Sequence, residues 1–166
     1  MGYMQGEVRT NMQVLKPSHK RLVAGDVFRV GLPDASFIFG RVIRVDLPRE
    51  SAPVPGANLV YGYRQRIDSS EPDLAALTPD ELLIPPLFIN RLPWSRGYFE
   101  TVLHLPLKRT DLLAQLCFRR SNGTYLDENG EPLRAERQPC GTWGLNSFRT
   151  FDDEISEALR IPLVSE

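Results

Sequence analysis

Nucleophilic, metal-binding and acid–base chemistry each need particular side chains at particular spacings, and this 166-residue chain offers few of them. The two cysteines, Cys117 and Cys140, lie outside any CxxC motif. The two histidines, His19 and His104, are 85 positions apart. A metal centre needs several such ligands at set spacing, so no metal site is expected. Cys117 with His104 as base is the one formal nucleophile pair. Cys117 stands in the apolar run Leu116–Phe118, however, and reads as a packed thiol. The chain has no G-x-S-x-G elbow and no glycine-rich phosphate loop. Asp152-Asp153-Glu154 offers paired carboxylates, but acids at a helix start read first as partners of the unpaired N–H groups there. No catalytic residue and no cofactor is expected.

Recognition has better candidates. Arg119-Arg120 flank an Asn122-Gly123 turn with Tyr125 across it, a patch suited to stacking and anion contact. Trp94 and Arg96 sit in a Pro/Gly turn, and both residue types are enriched where binding energy concentrates. Asp127, Glu128 and Glu131 lie in the next turn. Charge is unevenly placed. Residues 1–120 carry sixteen basic against twelve acidic residues, and residues 121–166 carry four against nine. The formal net charge of −1 hides this split. An acidic C-terminal third would steer a basic partner. Seventeen of the twenty basic residues are arginine, which either a coding bias or an interface of guanidinium forks would explain.

The elements that must position these residues are short. Fourteen prolines and twelve glycines leave little room for long helices. Val27–Leu32 and Phe37–Leu47 read as a hairpin, and Asn58–Ile67 as a third strand. Gly40 and Gly62 interrupt the second and third strands, which signals a bend or a close backbone approach. Thr78-Pro79-Asp80-Glu81 has the form of a helix start, ended by Pro85-Pro86. Leu87–Ile89 and Tyr98–Leu107 read as strands; in the latter Phe99, Leu103, Leu105 and Leu107 share a face. Gln115–Arg120, Thr124–Leu126 and Glu131–Ala135 form a meander, its first turn of type I′. Thr150 caps a last helix with Phe151, Ile155 and Leu159 in one stripe. Residues 1–20 lack periodicity and are expected to form a tail, with Met1, Met4 and Met12 as alternative starts.

The fold class expected is α+β, mostly β. It comprises a strongly bent antiparallel sheet, barrel-like in its extreme form, with two short helices. Forty-two per cent hydrophobic residues suffice for a core, and the longest apolar run, Leu82–Ile89, is too short to span a bilayer. With no signal-type segment, a cytoplasmic protein with reduced thiols is expected.

The order of segments resembles the immunity protein 26 family of bacterial polymorphic toxin systems. The resemblance rests on Gly25-Asp26-Val27-Phe28, then Gly40-Arg41-Val42, the strand Asn58–Tyr63, Leu83-Ile84-Pro85-Pro86, and Trp94–Leu105. A closing pattern from Leu145 to Ile155 extends it to about residues 22–160. Tyr98 stands where that pattern has tryptophan. The resemblance implies one immunity-type domain over residues 21–166. It also implies a non-enzymatic role, in which the chain neutralises a cognate toxin domain by direct binding. The partner-binding residues expected are Trp94, Arg96, Arg119, Arg120, Tyr125, Asp127, Glu128 and Glu131. The competing reading is a small arginine-rich β-barrel that binds nucleic acid through Arg41, Arg44, Arg64 and Arg66.

Overall fold

The computed structural model describes residues 9–165. Its elements run β1 (Asp26–Gly31), β2 (Phe37–Arg44), β3 (Asn58–Ile67), β4 (Leu82–Ile89), α1 (Leu92–Ser95) and β5 (Glu100–His104). After these come β6 (Cys117–Arg119), β7 (Tyr125–Leu126), β8 (Pro132–Leu133), β9 (Cys140–Thr142), β10 (Leu145–Asn146) and α2 (Phe148–Leu159). The larger sheet has the order β10-β4-β3-β2-β1-β5, and the smaller one β8-β7-β6-β9. The fold is α+β and mostly β, as expected, and no closed barrel forms among the described residues. Each sheet also contains one parallel pair, β10 with β4 and β6 with β9, where only antiparallel pairing was expected.

The larger sheet is apolar on both faces because its strands alternate two apolar sets. Phe28, Ile38, Val42, Val60 and Ile84 turn to a core completed by Trp94, Phe99, Phe151 and Ile155. Val27, Phe39, Ile43, Leu59 and Tyr61 turn to a second core with Phe118 of the smaller sheet and Leu116 just before it. The helices cover the first face, and the smaller sheet with its loops covers the second. Bulges bend the sheet: the ladder shifts register between β2 and β3, between β3 and β4, and between β1 and β5.

Four local expectations are corrected. Thr78–Asp80 form a turn rather than a helix, and Leu82–Ile89 is one strand that contains Pro85 and Pro86. The prolines fit because they fall where Ile84 pairs with Gly62 and Leu87 with Val60, so two residues oppose Tyr61 alone. A bulge needs no ladder N–H from them. In β5, Val27 pairs with Leu103 and Phe28 with Thr101, leaving Val102 extra. The extra residue reverses the alternation, so Phe99 joins the first core while Leu103 packs on the second. The Asn122-Gly123 turn is not type I′. Only Gly123 has positive φ, at 84°, and its N–H donates to Arg120 O at 3.0 Å. A type I turn with a left-handed glycine after it fits this geometry. Ser147, not Thr150, caps α2, its Oγ accepting from Thr150 N at 3.1 Å.

Of the expected tail, residues 1–8 lie outside the described residues. Residues 11–18 are held against the domain rather than free. Gln13 bridges to Gly31, Leu15 N donates to Gly97 O, and Ser18 N donates to Trp94 O. Met12 is 2% exposed and belongs to the first core.

Candidate partner-binding surface

The meander β6–β7–β8 carries six of the residues expected to bind a partner. Phe118 anchors it, packing its ring 4.5 Å from that of Phe88 in the larger sheet. Alternation then turns Arg119 outward. Arg119 and Arg120 are both exposed, and neither forms an ion pair among the described residues. Tyr125 pairs with Arg119 across the ladder and is half-buried, its hydroxyl 3.4 Å from Glu136 Oε2. Desolvation and the Glu136 charge push that hydroxyl's pKa up.

The acids divide by job. Asp127 Oδ1 accepts from Asn129 N at 2.8 Å and Glu131 N at 2.9 Å, which closes the second turn. Glu128 Oε2 accepts from Leu116 N at 3.0 Å, and its backbone carbonyl takes Arg44 Nη1. Both are half-buried parts of the scaffold. Glu131 is exposed.

Trp94 and Arg96 belong to a different part of the molecule. Trp94 is 3% exposed and packs edge-on against Phe28 and Phe99, so it belongs to the core rather than to the exposed surface. Arg96, two residues later, is exposed.

The arginines of the nucleic-acid reading each have partners within the chain, though the Arg64 side chain stays 66% exposed. Arg41 is 0% exposed, sits on the apolar face of β2, donates to the carbonyls of Leu105 and Pro106, and lies 3.4 Å from Asp111 Oδ2. Burial drives the neighbouring Tyr63 hydroxyl's pKa upward, with the Arg41 charge opposing. Arg44 binds a carbonyl, Arg64 binds Leu82 O, and Arg66 binds Ser36 and Asp34. A phosphate cannot reach Arg41.

Among the clefts of the described residues, two bring together side chains that no sequence pattern paired. One, of about 450 Å³, lies under the strap of residues 16–23, with Trp94 and His104 in its wall. There His104 Nδ1 is 2.9 Å from Asp26 Oδ1, and Asp26 Oδ2 accepts from Val23 N. The other, of about 420 Å³, lies between β4, β9 and α2 and includes Cys140. Asp26 and His104 are 78 positions apart and Cys117 and Cys140 are 23 apart, so no local pattern announces either pair. Among the described residues no group of three or more His, Cys, Asp or Glu is placed to hold a metal ion.

The fold is therefore a small β-rich domain with a charged meander on its lesser sheet. The chain belongs to the immunity protein 26 family: the family model described as Immunity protein 26 matches residues 23–125. That span runs from the approach to β1 into β7. It includes Arg119, Arg120 and Tyr125 but stops short of Asp127, Glu128, Glu131 and the closing pattern around α2. No curated protein and no solved structure matches the chain. No helix among the described residues is long and apolar enough to cross a membrane.

Proposed function

We propose that this chain is an immunity protein that neutralises a cognate bacterial toxin domain by direct, stoichiometric binding in the cytoplasm, without catalysis of its own. The family match over residues 23–125 carries the reading. The exposed guanidinium groups of Arg119 and Arg120 beside Tyr125 support a binding role, because rigid aromatic and arginine side chains concentrate interface energy. Arg96 and Glu131 are the further exposed candidates, Trp94 being interior.

Co-expression with a candidate cognate toxin domain tests the proposal. The expected result is a complex that survives size-exclusion chromatography and abolishes toxin activity at equimolar ratio. Absence of a complex, or full protection at a small fraction of one equivalent, would overturn it.

A further inference from the structure

The chain's only two cysteines are partners in the parallel β6–β9 ladder, and their sulfurs lie 2.7 Å apart. Adjacent strands run ~4.8 Å apart, inside the Cα separation that a disulfide spans. The strands have little freedom to separate. A Cβ on Gly141, next to Cys140, would meet the carbonyl oxygen of Pro86 in β4 and the ring of Phe118 in β6. Access is one-sided. Cys117 is buried, whereas Cys140 is half-buried and lines the 420 Å³ cleft beside Pro86 and Glu154. No other metal-ligating side chain joins the pair in a group fit for a metal among the described residues.

We propose that Cys117 and Cys140 are a thiol pair that a small-molecule disulfide, such as oxidised glutathione, converts into an intramolecular disulfide. The Cys140 thiolate attacks one sulfur of oxidised glutathione, breaks its S–S bond and expels one glutathione as thiolate. The Cys117 thiolate then attacks the Cys140 sulfur and expels the second. Two cysteine thiols are oxidised and one oxidised glutathione is reduced. The two protons lost by the cysteines end on the two released thiols. The new bond closes a loop over residues 118–139, which contains both turns of the meander and Arg119, Arg120, Tyr125 and Glu131. Its formation restrains that surface. Burial and the neighbouring Cys117 push the Cys140 thiol up to about 12, so the first attack is slow near neutral pH and quickens as pH rises.

The test uses the full chain at mildly alkaline pH, brought to equilibrium in glutathione buffers from both the reduced and the oxidised side. Alkylation, intact mass and peptide mapping then read the products. The expected product is a monomer linked Cys117 to Cys140, half-oxidised at a glutathione ratio at least about tenfold more reducing than for the same chain in urea. Amide exchange across 118–139 should slow in the linked form. A Cys117→Ser variant should instead retain glutathione on Cys140. Three outcomes would overturn the proposal: lasting glutathione on Cys140 in the unmodified sequence, free thiols at equilibrium, or equal ratios for native and urea-unfolded chains. None of these readouts requires the toxin, so the inference stands or falls apart from the proposed function.

Discussion

Gly40 and Gly62 are partners across the β2–β3 ladder. Each leaves room for a side chain from a neighbouring strand. A Cβ on Gly40 would collide with the far edge of the Phe28 ring, and one on Gly62 would come 3.3 Å from Ile84 Cγ1. The Phe28 ring is itself fixed, stacked at 4.4 Å on Phe99 and set edge-on to Trp94. The two positions should therefore respond differently to a methyl group. Gly40→Ala should cost about 3 kcal/mol, because an immobilised ring must shift. Gly62→Ala should cost less than ~1 kcal/mol, because the Ile84 side chain can yield. Urea denaturation of both variants checks this, and equal costs would refute the role given to Phe28.

Residues 11 and 12 are joined to the last helix by the Asp152 carboxylate and by Asn11 Nδ2, which donates to Ser156 Oγ at 2.8 Å. Asp152 Oδ1 accepts from Met12 N at 2.8 Å and Oδ2 from Asn11 N at 3.0 Å. Asp152 is 2% exposed, so its removal strands two donors away from water. Asp152→Ala should cost about 3 kcal/mol. It should also release the Met12 amide to fast hydrogen exchange while leaving β3 protected. A loss of stability with no change at Met12 would contradict this link.

Mild acid should stabilise the protein through α2. Burial raises the pKa of Asp152 above its ordinary 3.8, with the Asn11 and Met12 N–H groups opposing, and raises that of Glu154 above 4.5. A raised carboxyl binds its proton more tightly folded than unfolded. Its contribution is thus complete below the ordinary value and is lost as pH rises through the folded one. Asp34 has the opposite sign, its pKa held down first by Ser36, so its contribution is lost as pH falls through the lowered value. Glu154→Gln should raise Tm at neutral pH and leave it unchanged well below pH 4.5. Calorimetry across this range tests it, and a parallel pair of Tm curves would count against it.

The charges of the meander should separate into scaffold and surface. Glu128→Ala removes the acceptor of Leu116 N and should cost about 1–2 kcal/mol in stability. Reversing both Arg119 and Arg120 to Glu should leave stability within ~0.5 kcal/mol, since both are exposed. If they face the toxin, that reversal should slow association at least about tenfold and alter its salt dependence. Stopped-flow association at two salt concentrations reads this; an unchanged rate would move the interface elsewhere. Glu131→Gln should change the rate and not the stability.

Much of the scaffold was legible because it rests on local rules. The bounds of β3, its two faces, the meander and the apolar stripe of α2 come from period and turn chemistry. The helix expected at Thr78 failed because cap signals describe only a first turn. The adjoining segment, Leu82–Ile89, pairs instead with β3, in a ladder that a bulge opens to two prolines. The candidate surface was half legible. Arginine in a hairpin turn was visible in the chain, whereas Trp94 could be assigned to the interior only once Phe28 and Phe99 enclosed it.

A β-rich fold, its main strands and the order of segments that marks its family follow from local pattern along the chain. That Arg41 lies inside against Asp111, that Asp152 holds Met12, that Gly40 faces Gly62 and that Cys117 meets Cys140 emerges only in the folded chain. The reason is one of range. Periodicity and turn chemistry act within a few residues. A buried charge or a sulfur pair depends on partners tens of residues away, which only strand pairing and the folding of loops over the sheets bring into reach.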